Sequence, residues 1–284
     1  MARILRGKIS CSYYHLKKKS FNKSSMSKIY LLLFCLNCFH SSFAQPFKPL
    51  NTIENVDCQY FTTDALYNIY VVTNDNELIR YDTTGNLTGR FSDKKSGHLK
   101  SVEVGNPFQI LLYYDDYQQI TILDKQLTVL GKYSLLDAGV QQLAAITVSD
   151  RYDIWLYDAG DATLKKWQMG SATTQHQPLL LRNPPTWMAV QENILYLKTA
   201  QGIQTSDIFG QFIADWEVKT SENCQIFENN LYFMENNFFI KYNSTIRLKK
   251  SVPLPENAQG ATAFSIEKNK LFVLNKNAIQ IYQY

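Results

Sequence analysis

Residues 106–127, NPFQILLYYDDYQQITILDKQL, hold two apolar runs, Gln109–Tyr114 and Gln119–Leu123, on either side of the acids Asp115 and Asp116. Each run is too short for a helix and rich in Ile, Leu and Tyr, which predicts two strands joined by a tight turn at Asp115, Asp116 and Tyr117. The first run is apolar at successive positions from Ile110, the pattern of a strand covered on both faces rather than one half exposed to water. The fold sought is one that buries such strands repeatedly.

Hairpins of the same kind begin near Leu66, Tyr152, Asn193, Asn230 and Lys270. Aligning Tyr67, Gln109, Asp153, Ile194, Leu231 and Leu271 gives spacings of 42, 44, 41, 37 and 40 residues, the repeat length of a propeller blade. A less polar segment precedes most hairpins, as in KSVEV from Lys100, LAAITV from Leu143, TWMAV from Thr186 and TAFSI from Thr262. Small residues there, Ala144, Ala145, Ala189, Ala261 and Ala263, suit inner strands crowded at an axis. A fourth segment follows, as in LTGRF from Leu87 and QFIADWEV from Gln211. The last hairpin ends at Tyr284 with no outer strand, while FKPLNTI from Phe47 precedes the first inner strand, VDCQYF from Val56. The predicted fold is therefore an all-β, six-bladed β-propeller whose N-terminal strand closes the last blade and leaves no open end. A double-sheet sandwich also has many short strands, but the near-constant period is left unexplained by it.

The chain before Gln45 reads as a leader. Residues 26–44 form a signal peptide with Lys28, an apolar core from Ile29 to Phe39 and small residues at Ser42 and Ala44, so cleavage is expected after Ala44. The core is shorter than the roughly 20 residues that span a bilayer, and Phe34 and Asn37 before Cys35 and Cys38 are unsuited to lipidation. Residues 1–25, with seven basic side chains and no acid, read as an extension from a mis-assigned start. Residues 45–284 form one propeller domain. Residues 1–44 hold eight of the 29 basic residues and none of the 25 acids, so the remaining chain is net acidic. A nucleic-acid partner is excluded on that ground.

No nucleophile elbow, His-Glu-x-x-His pair, phosphate loop or Cys/His zinc cluster is present. An axial metal, as in lactonase-like propellers, would draw on Asp57, Glu103, Thr147 and Gln225, which fall short of the oxygen-rich set a hard cation takes. His98 and His176 read as loop residues without a nearby acid. Asp82, Asp124, Asp207 and Asn243, at the ends of third strands, read as turn residues bonding the backbone two positions on. Tyr70, Tyr113, Trp155, Tyr196 and Tyr232 read as blade packing. Cys58 and Cys224 are placed on inner strands of the first and fifth blades, too far apart for a disulfide.

The elements Asn106, Pro107, Ile110, Leu111, Leu112, Tyr114, Asp116, Tyr117, Leu123, Asp124 and Leu127, with DIFGQF from Asp207, resemble a motif of an exported β-propeller envelope family of the Bacteroidota. The resemblance implies a periplasmic protein without enzymatic role, and a further likeness is to the periplasmic plug subunit of the type 9 secretion translocon. The expectation is a non-catalytic protein-binding module without cofactor or metal. It would be bound to the inner side of the outer membrane, as a plug or gate on an export pore; a lactonase-like hydrolase or a glycan-binding propeller is the alternative. Turns between second and third strands share one face, so Asp115, Asp116, Tyr117, Asp158 and Asp161 are the residues expected to meet a basic partner.

Overall fold

The computed structural model describes residues 47–149, 153–169, 171, 175–179, 181, 183–218, 220, 223–243 and 245–284; the leader and its cleavage site lie outside them. Strand β1 (Lys48–Ile53) is followed by blade one: β2 (Tyr60–Thr63), β3 (Ile69–Val72), β4 (Glu77–Tyr81) and β5 (Leu87–Ser92). Blade two is β6 (Leu99–Glu103), β7 (Gln109–Tyr114), β8 (Gln119–Asp124) and β9 (Val129–Ser134). Blade three is β10 (Leu143–Val148), β11 (Ile154–Asp158), β12 (Thr163–Trp167) and β13 (Gln175–Pro178). Blade four is β14 (Trp187–Gln191), β15 (Ile194–Thr199), β16 (Gly202–Asp207) and β17 (Phe212–Trp216). Blade five is β18 (Cys224–Phe227), β19 (Asn230–Glu235), β20 (Phe238–Asn243) and β21 (Leu248–Pro253). Blade six is β22 (Ala263–Glu267), β23 (Lys270–Asn275) and β24 (Ala278–Gln283), completed by β1 in the order β1-β24-β23-β22.

The closing strand runs antiparallel to β24, with Lys48 opposite Gln283 and Ile53 opposite Ile279. Phe47 anchors it from the blade five–six wedge, 1 % exposed, stacked on Tyr284 at 5.4 Å and edge-on to Phe239 and Tyr282. Second strands are buried as the uninterrupted apolar runs require: every residue of β3 and β11 is covered, and five of six in β7. The reason is that the core lies between the sheets. Six apolar clusters fill the six wedges between neighbouring blades, such as Tyr70, Val72 and Leu78 of blade one against Val102, Ile110 and Leu112 of blade two. A single blade has no core of its own and depends on its neighbours.

Polar side chains lock the ring at both ends. Asn76, in the turn after β3, donates through Nδ2 to Gly97 O (2.7 Å) and accepts from Leu99 N (2.6 Å), clasping the connection into blade two. Gln118 does the same one blade on, donating to Gln141 O (3.3 Å) and accepting from Leu143 N (3.0 Å). Both residues sit at positive φ, 64° and 49°, as the tight turn demands. Gly97 is needed for a different reason: at φ +88° a Cβ would meet the Asp116 side chain at 2.6 Å.

In blades one, two and four the turn after the third strand is an Asx turn. Asp82, Asp124 and Asp207 each accept, through Oδ1, the amides two and four residues on at 2.8–3.0 Å, and Asn243 accepts the Ile246 amide at 3.1 Å. The expected bond to the amide two positions on is observed for Asp82, Asp124 and Asp207, whereas Asn243 holds its turn through the amide three positions on. Asn106, the start of the resemblance motif, likewise accepts from Phe108 N at 3.0 Å. The motif's last residue, Leu127, takes the left-handed conformation (φ 64°) that Gly85 and Gly210 take in blades one and four. That costs a branched residue roughly 1–2 kcal/mol, offset by burial of its side chain against Gly89.

The first inner strand begins at Tyr60 rather than Val56, so Cys58 lies in the loop before β2, half-buried, while Cys224 is buried on β18; both are free thiols. His176 is on outer strand β13 opposite Lys165, not in a loop. Outer-strand pairing was hidden because QHQP has no β pattern of its own.

Candidate functional site

Inner strands of all six blades line an axial channel of about 580 Å³, within the 300–1,000 Å³ typical of small-ligand sites. Its wall is uneven. Carboxyls come from three consecutive blades, Asp64 after β2, Glu103 on β6 and Glu267 on β22, whereas β10, β14 and β18 contribute Ala144, Thr147, Trp187, Ala189 and Gln225. Neutral Gln225 is fully used as a tie between blades, accepting from Ile266 N (2.8 Å) and donating to Ile266 O (2.9 Å). Gln191 ties blade four to blade five, accepting from Asn229 N at 3.0 Å.

Glu103 has the acid chemistry of the channel. Burial pushes its carboxyl up to about 8, against the pull of a hydrogen bond from the backbone of Val148. Glu267 is pushed up to about 7 by burial and by the negative charge of Asp64, with Lys268 acting in the opposite direction. Asp64 is buried but satisfied, accepting from the amides of Leu66 and Asn68 (2.9 Å each), Asn68 Nδ2 (2.8 Å) and Tyr70 Oη (3.0 Å). Carboxyls that change charge near neutrality are suited to acid–base work. Tyr60 Oη and Ser101 Oγ, on channel-lining residues, are buried oxygens without a hydrogen-bond partner. Glu267 was missed from the sequence because its position only becomes axial once blade six closes.

Of the four residues weighed as an axial metal set, Glu103, Thr147 and Gln225 do line the channel, whereas Asp57 bonds Asn74 outside it. Among the described residues no group of three or more His, Cys, Asp or Glu side chains could hold a metal ion. Trp187 is a half-buried wall residue and Trp216 a core residue; the five aromatic residues assigned to second strands are all buried.

The acidic turns sit together on the opposite face, as the topology requires, but their charge is largely engaged. Asp158 is a correction to the expected partner surface: it is 0 % exposed, paired with the equally buried Lys165 at 2.6 Å. It also accepts from the amides of Gln141, Gln142 and Gly160 at 2.7–2.9 Å. It holds the connection between blades two and three. Lys165 also pairs with Asp161 (2.8 Å) and donates to Gly139 O (2.7 Å). Asp115 faces His98, Oδ1 to Nδ1 at 2.9 Å, so His98 does have an acid beside it, brought there by the loop that leads into β6. Asp116 accepts from His98 N at 2.9 Å, and Tyr117 stands 66 % exposed.

Comparison with known proteins gives fold and no family: no family model and no curated protein matches the chain. Among solved structures it is similar to a streptogramin B lyase, at 16 % identity and TM-score 0.54, covering 84 % of this chain and 86 % of that one. Two structures of virginiamycin B lyase from Staphylococcus aureus are also similar. One is catalytically inactive and holds quinupristin, at 15 % identity, TM-score 0.52 and coverage of 85 % and 86 %; the other is at 13 %, 0.55, 84 % and 89 %. At these identities the likeness shows a shared propeller fold. It also corrects the expectation that the chain is no enzyme: propellers of this size and arrangement include lyases, so the lack of a catalytic signature in the sequence excludes nothing.

Proposed function

We propose that the chain is an exported recognition module of the bacterial envelope that docks on another envelope protein, an outer-membrane export pore of the type 9 secretion system being the partner to test first. The leader and the motif resemblance support the export and the partner class. One observation carries the docking. Turns between first and second strands and between third and fourth strands emerge at the same end of an antiparallel blade, and neighbouring turns are tied there, Tyr67 Oη to Asn269 at 3.4 Å among them. Four of these turns hold a large apolar side chain 57–67 % exposed: Leu66, Phe108, Phe209 and Ile246. In each the backbone is fixed by an Asx residue, Asp64, Asn106, Asp207 or Asn243. Rigid turns that present apolar tips on one face have the character of a contact surface. Rigid tips also lose little entropy when they dock.

Affinity capture from solubilised envelopes tests the reading, with the wild-type chain beside a variant carrying Leu66→Ser, Phe108→Ser, Phe209→Ser and Ile246→Ser. Recovery of an export-pore component by the wild type and its loss in the variant, with unchanged melting, is the expected result. Equal capture by both proteins would remove this face, and capture of no outer-membrane protein would remove the partner class.

A further inference from the structure

We propose that the outer edge of blade five is a docking site for an extended, acidic segment of a partner protein, which adds to β21 as a fifth strand. The inference concerns the rim of the ring and does not depend on docking through the turn tips. Every blade ends in an outer strand, and such an edge offers unpaired N–H and C=O groups to any chain that can lie along it. Four of the six outer strands are broken by a bulge whose extra residue is on the outer strand itself: Leu50 in β1, Thr88 in β5, Leu130 in β9 and Ile213 in β17. A bulge twists an edge and interrupts its ladder. A fifth, β13, is four residues long and ends in Pro178. Of the outer strands described, only β21 pairs with its neighbour over six residues without a shift, from Asn243 opposite Leu248 to Phe238 opposite Pro253. Five of those six residues are exposed, and among the described residues no strand lies beyond them.

The charge of this edge selects what can lie along it. Residues 236–255 contain Lys241, Arg247, Lys249 and Lys250 and no acid, within a chain that is net acidic from Gln45 onward. Lys249 reaches back to Glu235 at 2.9 Å in an exposed pair, which is worth little and is readily exchanged. Lys241, Arg247 and Lys250 have no ion pair among the described residues, whereas the cations of β5 and β9, Arg90 and Lys132, are paired with Glu77 and Asp93. Lys250 also stands directly opposite Lys241 in the ladder, and like charges so placed repel. A carboxylate on the far side of Lys250 would relieve that repulsion. Lys249 and Lys250 are consecutive and point to opposite faces of the sheet, so a strand that answers both carries acids at neighbouring positions. A second copy of β21 is disfavoured as the occupant, because it would set lysine against lysine.

The edge has defined ends. Arg247 leaves the strand direction at φ 50°, and Pro253 carries no N–H, so the incoming segment pairs with residues 248–252. Leu248, 56 % exposed and on the same face as Lys250, offers an apolar contact two residues from the charge.

Fluorescence anisotropy of the purified full chain with the labelled hexapeptide Thr-Val-Asp-Glu-Val-Thr tests this, beside the same peptide with Asn and Gln for its acids. Expected are saturable binding below about 1 mM, an affinity about fivefold or more lower for the neutral peptide, weakening with salt, and slowed amide hydrogen exchange within residues 248–252. Lys250→Glu turns the repulsion opposite Lys241 into an attraction, so the fold should be kept while the acidic peptide weakens about fivefold or more. Near-ultraviolet circular dichroism reports the fold. No saturable binding, equal affinity for the neutral peptide, unchanged affinity in a folded Lys250→Glu protein, or binding without slowed exchange in residues 248–252 would each overturn the proposal. So would co-sedimentation with phosphatidylglycerol vesicles in place of peptide binding, which would make the basic edge a membrane contact.

Discussion

Replacing Lys165 by methionine removes the cation from the most deeply buried charge cluster of the described propeller while keeping most of its volume. In the native protein Lys165 Nζ gives hydrogen bonds to Asp158 Oδ2 (2.6 Å), Gly139 O (2.7 Å) and, as an ion pair, Asp161 Oδ2 (2.8 Å), with Lys165 and Asp158 both at 0 % exposure. Breaking a buried pair from one side costs about 3–5 kcal/mol because a charge is left behind. Asp158 keeps three backbone amides, Gln141, Gln142 and Gly160, so Lys165→Met should fall at the low end, about 3 kcal/mol. At about 2–4 °C per kcal/mol for a domain of this length, melting falls by about 6–12 °C. Asp158→Ala should cost more, about 4–5 kcal/mol, since it strands those amides as well as Lys165. The pH dependence has a definite sign. Burial alone would raise the Asp158 carboxyl, but the Lys165 bond and the three amides outweigh it and hold it below the ordinary carboxylate range. Its contribution is therefore present at neutral pH and lost as pH falls through that lowered value. Lys165, raised by Asp158 and Asp161 against the effect of burial, loses its contribution only as pH rises through its own elevated value. Urea denaturation across pH gives both limbs. A loss below about 1 kcal/mol for Lys165→Met at neutral pH would refute a structural role for the pair.

Phe47→Ala removes the anchor of the closing strand and should destabilise the whole ring by about 3–5 kcal/mol, seen as one cooperative melting transition shifted down rather than a fraying phase. Cys58, raised to about 12 by burial and the Asp57 charge, and Cys224, raised to about 11 by burial, should react slowly with iodoacetamide in the native protein. Both should label fully in denaturant without reductant, as counted by intact mass. Glu103 and Glu267 titrate above their unfolded values, so their contribution is fully present only below the ordinary carboxylate range and is lost as pH rises from there through about 7 to 8. Thermal melts of Glu103→Gln and wild type should diverge between about pH 5 and about pH 9, the variant falling less on the alkaline side.

The blades themselves were legible in the sequence because their signal is local and repeated. Runs such as Ile110–Tyr114 are apolar without alternation only when both faces are covered, and six such runs at a near-constant period leave few architectures to choose from. The closing strand obeys the same four-strand pattern, with β1 pairing antiparallel to β24 to complete blade six. The turn role of Asp82, Asp124 and Asp207 is equally local, a side chain meeting amides two and four residues away. What depended on the tertiary structure was every property set by residues distant in the chain. Asp158 reads as a turn acid until blade two's connection, residues 139–142, folds over it and Lys165 reaches in from the next strand. His98 reads as solitary until the turn after β7 brings Asp115 to it across 17 positions. Glu103, Glu267, Tyr60 and Ser101 belong to three blades and become one wall only when the ring closes. Their burial, and with it the charge the channel carries at neutral pH, is a property of the closed ring: desolvation is set by everything that surrounds a group, and a periodic pattern along the chain holds no measure of it.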